Sequence, residues 1–235
     1  MEMPLMSNDQ TPIMTMRFKF KRTASLRFLS HLDQQSTFQR AFRRAKIPFA
    51  YSNGFHAHPK LSFALALSVG MTSSSEYADL RLTEEVNPSE FVSAVNASLP
   101  DGLKILDAKL IKGKVNSLSA SIKSSSYRIK ILDHKYDKLL SDEIQNYLNQ
   151  NEILVKKRNK KGRLQMIDAR PFIKQFSVFQ DDHDDLQFNL SLNYQDQKTI
   201  KPTIILRSFE TFAHREFGDD LLWQVHRENL ELSSK

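Results

Sequence analysis

The 235-residue chain contains no cysteine. This excludes disulfide scaffolds, thiolate zinc sites, iron–sulfur clusters and cysteine nucleophiles, and it fits a reducing compartment. Long apolar runs are also missing, since the longest fall far short of the roughly 18 residues that a membrane-spanning helix requires. The chain does not open with a positively charged segment followed by an apolar stretch, as a secretory signal would. We therefore expect a cytoplasmic protein with no membrane partner.

The sequence motifs of several enzyme classes are absent. There is no GxGxxG, Walker, GxSxG or HExxH string, so nucleotide-binding, hydrolase and zincin interpretations have no local support. The sequence therefore predicts no metal site and no cofactor, and it favours a protein that is not an enzyme.

Acidic residues are scarce near the amino end of a basic chain. Lys and Arg number 34 against 27 Asp and Glu, a formal net charge of +7. Residues 16–60 contain ten basic side chains and only one carboxylate, that of Asp33. A concentrated positive field attracts polyanions, among which nucleic acid is the usual cytoplasmic candidate. Ordinary solubility is the alternative explanation.

The hydrophobic pattern of the first half predicts the order of a ferredoxin-like unit, βαββαβ. The predicted elements are strand 17–21, helix 31–46, strands 61–67 and 77–82, a helix capped by Asn87, and strand 103–111. Residues 1–15 have no period and are interpreted as a flexible tail.

The second half repeats that order with one additional strand. The predicted elements are strand 127–132, helix 137–149, strands 153–158, 163–168 and 186–192, helix 202–212, and strand 221–225. We therefore predict an α+β fold of two tandem ferredoxin-like units with antiparallel sheets, at residues 16–116 and 127–235. Residues 117–126, rich in serine, are predicted to be a linker.

Clusters of cations predict an RNA-binding surface. Arg40, Arg43 and Arg44 are spaced at i, i+3 and i+4, so they share one helix face and favour an external phosphate. A solvated face or a contact to the second unit are the alternatives. The outward residues of strand 17–21 lie on the sheet surface that RNA-recognition (RRM) modules use to bind RNA. The aromatic signature of those modules is missing here, however. Packing of this surface against a second sheet explains the same residues equally well. Residues 156–163 predict a basic hairpin, with an ordinary exposed turn as the alternative.

The complete set of predicted nucleic-acid-binding residues is Arg17, Lys19, Lys21, Arg40, Arg43, Arg44, Lys60, Lys156, Lys157, Arg158, Lys160, Lys161 and Arg163.

Several segments resemble a bacterial family known as radical-SAM-linked proteins. They are Ser30-His31-Leu32-Asp33, Arg40-Ala41-Phe42-Arg43-Arg44-Ala45, Ser52-Asn53-Gly54-Phe55-His56-Ala57-His58-Pro59, Ser73-Ser74-Ser75-Glu76-Tyr77-Ala78-Asp79 and Asp168-Ala169-Arg170-Pro171. Ala57 stands where the family usually has proline, and His56 where asparagine is common. The resemblance marks Ser52, Gly54, Phe55, Pro59 and Glu76 as residues of a motif loop. It also implies a radical-SAM protein as the partner, because members of that family are fused to, or encoded beside, cobalamin-type radical-SAM proteins. This chain lacks the CxxxCxxC string that such an enzyme itself needs, so we do not expect it to be the cluster-bearing enzyme.

The speculative catalytic residues are His31, Asp33, His56 and His58. His56 and His58 form an H-x-H pair, which in extended backbone places both rings on one side. His31 and Asp33 are added to this pair through the family resemblance. Metal binding, acid–base or phosphate chemistry, and structural hydrogen bonding around the loop all remain alternatives for these side chains.

These observations favour an RNA-binding accessory protein that presents tRNA or rRNA to a separate radical-SAM partner. One alternative is an RNA-processing or RNA-modifying enzyme that uses the four speculative catalytic residues, because tandem ferredoxin-like units also occur in RNA-cleaving proteins. The other alternative is a pure protein-interaction module.

Overall fold

The computed structural model describes residues 14–53, 57–135, 137, 139–158, 162–180, 185–196, 198–219 and 223–233, and these form ten strands and four helices. The strands are β1 (Met14–Arg22), β2 (Leu61–Phe63), β3 (Thr72–Leu82), β4 (Leu103–Lys112), β5 (Ile122–Lys135), β6 (Leu154–Arg158), β7 (Leu164–Asp168), β8 (Ile173–Gln180), β9 (Asp185–Asn193) and β10 (Trp223–Leu232). The helices are α1 (His31–Arg44), α2 (Pro88–Asn96), α3 (Leu139–Leu148) and α4 (Pro202–Ala213). No helix within these ranges is long and apolar enough to cross a membrane.

One large sheet contains eight of the strands, in the order β4-β1-β3-β10-β5-β9-β8, with β2 paired to the edge of β3. Strand pairs within each half are antiparallel, but β3 and β10, which join the halves, run parallel. The predicted α+β class is therefore confirmed, although the sheet is mixed rather than purely antiparallel. The division of the chain into two ferredoxin-like units stays a prediction, since one sheet continues through both halves.

The amphipathic pattern of α1 explains how this helix is oriented. Its N-cap is Ser30, whose hydroxyl oxygen accepts a hydrogen bond from the backbone N–H of Asp33 at 3.1 Å. The predicted apolar stripe is buried, and the ring centroid of Phe38 lies 4.9 Å from that of Phe20 in β1. Because this stripe packs against the sheet, the opposite face of α1 is left to solvent.

Several predicted strand boundaries are wrong. β2 ends at Phe63 instead of residue 67, because Leu67 turns away and packs into the core of the second half. β8 has no counterpart in the prediction, since a register shift between Ile173 and Gln175 interrupts its alternation. β6 and β7 form a separate two-stranded ribbon outside the large sheet.

The serine-rich stretch predicted as a linker is largely structured. A 3-10 turn spans Ser119–Ser121, and β5 then begins at Ile122. Ser124 and Ser125 are buried within β5, because small side chains fit the interior of the sheet as well as they fit a flexible segment. At the amino end β1 begins at Met14, and residues 1–13 of the predicted tail lie outside the described residues.

A buried ion pair lies where the two halves of the sheet meet. The Nη1 atom of Arg227 in β10 donates to both carboxylate oxygens of Glu76 in β3, each at 2.7 Å, and both side chains are at most 3% exposed. The backbone pairing between these strands covers only two residue pairs, including Arg227 with Ser73. The ion pair therefore supplements a short strand junction.

A second buried guanidinium group lies close to this ion pair. Arg22, at the end of β1, is fully buried and donates to three backbone carbonyl oxygens and to Oε1 of Gln34. Burial lowers the pKa of Arg22, while the negative charge of Glu76 opposes that shift. The Glu76 carboxylate thus compensates two arginines that water does not reach.

His226 occupies the same junction at its more exposed side. Its Nδ1 lies 2.7 Å from the Thr72 hydroxyl and its Nε2 lies 2.8 Å from the Ser74 hydroxyl. Burial lowers the pKa of His226. The nearby charge of Glu228 opposes this shift, and that of Arg128 adds to it. The folded state therefore favours the neutral imidazole.

The first prediction concerns Glu76. Replacing it (Glu76→Gln) leaves Arg227 buried without a counter-ion, which we expect to lower the free energy of unfolding by roughly 3–5 kcal/mol. The matched control is Glu85→Gln, which removes the exposed Lys112–Glu85 pair and is expected to cost less than about 1 kcal/mol. Urea denaturation measures both, and equal losses for the two variants would contradict the assigned role of the ion pair.

The second prediction concerns the pH dependence of the junction. Because the folded state lowers the pKa of His226, the unfolded chain takes up the proton first as pH falls, and stability is lost below the ordinary histidine pKa of about 6.5. The variant His226→Gln lacks this titration. We expect the wild-type minus variant difference in unfolding free energy to decrease between pH 8 and pH 5, as measured by urea denaturation, whereas a pH-independent difference would refute the assignment.

Candidate nucleic-acid interface

Three arginines lie on the solvent face of α1, as the spacing predicts. Arg40 donates to the Thr37 hydroxyl at 3.2 Å, Arg43 lies 3.4 Å from the Tyr51 hydroxyl, and Arg44 donates to the backbone carbonyl of Ser98. None of the three has a carboxylate within salt-bridge distance among the residues that the structure describes. Arg43 and Arg44 also lie in the last turn of α1, where cations interact favourably with the helix dipole. All three charges remain accessible to an external anion.

The segment after α1 pairs through its backbone with two more cations, Lys60 and Arg81, and Arg81 lies opposite Thr15 on the face of the sheet that α1 does not cover. The Lys60 N–H donates to the carbonyl of Ala50 at 2.8 Å, and the Ala50 N–H donates to the carbonyl of Arg81 at 2.9 Å. Tyr51, the contact of Arg43, follows Ala50 directly. Arg81 was not among the predicted binding residues, although its outward position in β3 could have indicated it.

We name this set of cations the basic strip. It consists of Arg40, Arg43, Arg44, Lys60 and Arg81.

The outward cations of β1 are less available than predicted. Arg17 forms two parallel hydrogen bonds to Asp79 in β3, both at 2.8 Å, and this interaction raises the pKa of Arg17. Lys19 lies over the ring of Tyr77, 5.7 Å from its centroid. Tyr77 itself packs against a small apolar cluster that covers part of this face of the sheet. The β1 surface is therefore no open platform for base stacking.

Lys21, also predicted to contact RNA, lies at the other end of β1. It lines a cavity of about 420 Å³ together with Lys104 and Asp101. The single acid among these three side chains offsets part of the positive charge.

The β6–β7 ribbon confirms the predicted basic hairpin in its described part. Lys156 and Arg158 are exposed on one face, opposite Met166 and Leu164. Lys157 points the other way, where its Nζ donates to the carbonyl of Thr199 at 2.7 Å and burial lowers its pKa.

The tip of the ribbon is described only in part. Arg163 is exposed, whereas Lys160 and Lys161 lie outside the described residues.

The speculative catalytic residues have structural contacts. The His31 ring packs edge-on against Phe63, 5.3 Å between centroids, and the Asp33 carboxylate accepts a hydrogen bond from the Ser30 hydroxyl at 2.6 Å. The backbone N–H of His58 donates to the Ser52 hydroxyl at 3.0 Å. No group of three or more His, Cys, Asp or Glu side chains that could hold a metal occurs in the described part of the chain.

The residues predicted to form one motif loop do not all lie in a described loop. Pro59 is buried and pairs with Tyr51, while Gly54, Phe55 and His56 fall outside the described residues. Glu76 is not a loop residue, because it lies inside β3 and pairs with Arg227. No local sequence signal could have indicated a partner 151 positions away.

The chain matches the model of a protein family, and its fold is distantly similar to that of some solved structures. Residues 15–202 match the model of a family described as an uncharacterised protein conserved in bacteria (DUF2344), and no curated protein matches the chain. A chain in the crystal structure of a Cbf5-Nop10-Gar1 complex is 9% identical with a TM-score of 0.46, covering 91% of this chain and 49% of that chain. A proposed glycine cleavage system transcriptional repressor is 10% identical with a TM-score of 0.22, covering 95% and 99% respectively. The present chain spans about half the length of the first of these. Since the family model covers most of its residues, the protein belongs to this family of uncharacterised bacterial proteins.

Proposed function

We propose that the protein binds RNA through the basic strip. The observation that carries this proposal is the solvent face of α1, where three guanidinium groups lie together without a described carboxylate partner. Like charges on neighbouring positions of a helix repel one another, so such a face favours an anion that bridges them. Guanidinium groups match phosphate oxygens in geometry as well as in charge.

A phosphate polymer suits this surface better than a single small anion. Lys60 and Arg81 place further positive charge on the other face of the sheet, so a polymer long enough to pass around the sheet edge meets cations on both sides. Each phosphate that is neutralised releases counter-ions, which makes binding tight at low salt and weak at high salt. The exposed cations of the β6–β7 ribbon offer further contacts of the same type.

We further infer that each half of the sheet is a ferredoxin-like unit. The order β4-β1-β3-β2 in the first half corresponds to β10-β5-β9-β8 in the second, with the β6–β7 ribbon inserted after α3. Tandem units of this kind would place the RNA-binding α1 in the first unit and the ribbon in the second. The RNA class that we propose is tRNA or rRNA.

A second candidate function, contact with a partner protein, is favoured by exposed apolar side chains. Phe28, Leu32 and Val69 are 64%, 71% and 58% exposed. The N–H of Gly70 donates to the carbonyl of Arg27, which joins the segments that carry Phe28 and Val69. We name these three side chains the apolar patch, and we propose that a partner covers it. The resemblance to radical-SAM-linked proteins makes a radical-SAM protein the proposed partner, to which the bound RNA would be presented.

The third prediction tests the basic strip. The triple variant Arg40→Gln, Arg43→Gln, Arg44→Gln should bind tRNA more weakly, because up to three phosphate contacts are lost. The slope of log K against log salt should flatten by roughly 2–3 units, as measured by filter binding across a salt series.

A matched triple variant controls for net charge. Lys109→Gln, Lys114→Gln, Lys174→Gln removes the same charge from other exposed positions. It should change the affinity and the salt slope far less. Equal effects of the two triple variants would mean that RNA responds only to net charge, and the basic strip would lose its role.

The fourth prediction tests the apolar patch. Leu32→Asp should abolish co-purification with the proposed radical-SAM partner, because a carboxylate cannot be buried in an apolar interface without cost. Leu139→Asp, at another exposed leucine on α3, is the control and should leave co-purification unchanged. Retention of the partner by Leu32→Asp would exclude the patch as its docking site.

A further inference from the structure

A cleft of about 310 Å³, lined in part by Lys60 and Arg81, has no assigned role. Its lining includes Thr15 from β1, Ser62 from β2, Arg81 from β3 and Asn116 from the loop after β4. Met14 and Met16, on either side of Thr15 in β1, point into the core on the face that α1 covers. The side chain of Thr15 therefore points to the other face of the sheet, and the cleft opens there. Its volume lies at the lower end of the roughly 300–1,000 Å³ typical of small-molecule sites.

One polar atom of the cleft has no partner. Thr15 is only 3% exposed, and its hydroxyl makes no hydrogen bond in the described structure. A buried hydroxyl without a partner costs free energy, which a ligand that hydrogen-bonds to it would recover. Thr15 lies directly opposite Arg81 in the β1–β3 register, and Ser62 lies opposite Asp79 in the β2–β3 register.

The charge of the cleft is positive despite the presence of a carboxylate. Both oxygens of Asp79 are occupied by Arg17, so its negative charge is compensated within the sheet. Lys60 and Arg81 line the same cleft and have no salt-bridge partner among the described residues. The cleft therefore combines two available cations with short hydroxyl side chains.

We propose that this cleft holds one nucleotide of the bound RNA, an inference that rests on the function proposed above. Lys60 and Arg81 hold the phosphate of that nucleotide, and the hydroxyls of Thr15 and Ser62 bond to its sugar or base edge. Lys60 and Arg81 also belong to the basic strip, but they lie on the other face of the sheet from the α1 arginines, so the bound strand passes around the edge of the sheet to reach the cleft. This arrangement gives the protein a position at which it can distinguish one nucleotide from the rest of the chain.

Titration with single nucleotides tests the proposal on the intact chain. The probes are the four ribonucleoside 5′-monophosphates, the corresponding nucleosides and inorganic phosphate, followed by amide shifts in ¹H–¹⁵N spectra. We expect at least one monophosphate to shift the amides of Thr15, Lys60 and Ser62 in a saturable manner, and to bind more tightly than its nucleoside or inorganic phosphate.

Ser62→Leu is the main variant, because Ser62 is exposed and a larger side chain fills the cleft without disturbing the core. It should weaken monophosphate binding at least about tenfold, a loss of roughly 1.4 kcal/mol. Lys109→Gln, on β4 outside the cleft, is the control and should bind as the wild type does.

Three outcomes would overturn the proposal: no saturable shift with any monophosphate at millimolar concentration, binding that Ser62→Leu leaves unchanged, or inorganic phosphate binding as tightly as the nucleotides. Binding of tRNA to the triple variant Arg40→Gln, Arg43→Gln, Arg44→Gln is measured separately by filter binding. RNA binding that depends on α1 while monophosphates fail would reject the cleft and retain the proposed function. The opposite pattern would retain a nucleotide site and reject RNA binding along the basic strip.

Discussion

The Glu76 carboxylate forms a buried ion pair with Arg227, lies close enough to the buried Arg22 to oppose the lowering of its pKa, and so connects the two halves of the large sheet. Isolated charges are costly to bury, so each of these groups requires the others, or backbone carbonyls, as compensation. The requirement links β1, β3 and β10. β1 and β3 pair along most of their length, whereas β3 and β10 share only two residue pairs. Because the junction fixes β3, it also fixes the face of the sheet from which Arg17, Asp79 and Arg81 project.

Burial and pairing divide the cations of the amino-terminal region into two groups. Arg22 is buried in the junction and Arg17 is neutralised by Asp79, so neither contributes to an external field. Arg43 and Lys60, by contrast, keep no described carboxylate partner. The set of available cations is therefore smaller than the local excess of positive charge in the sequence suggests, and it is divided between the solvent face of α1 and the cleft beside β2.

Sequence patterns predicted the strands and helices that interactions between neighbouring residues determine. Alternation identified β1, and the capping sequence at Ser30 with the apolar stripe through Phe38 identified α1, including the face that its arginines occupy. Such patterns could not predict contacts between residues that are far apart in the sequence. The sequence around Glu76 resembled a functional motif, whereas its carboxylate pairs with Arg227, whose position depends on the tertiary fold. The same applies to the cleft, which β1, β2, β3 and the loop after β4 form only once the sheet has assembled.

The most direct test of the account is photo-crosslinking of a 4-thiouridine-labelled tRNA to the wild-type protein, with the crosslinked peptides mapped by mass spectrometry. The account predicts that crosslinks concentrate in the peptides that contain α1 and the Tyr51 to Ser62 segment, and that unlabelled tRNA competes them away. Crosslinks confined to other surfaces, or an absence of crosslinks under conditions of measurable binding, would contradict it.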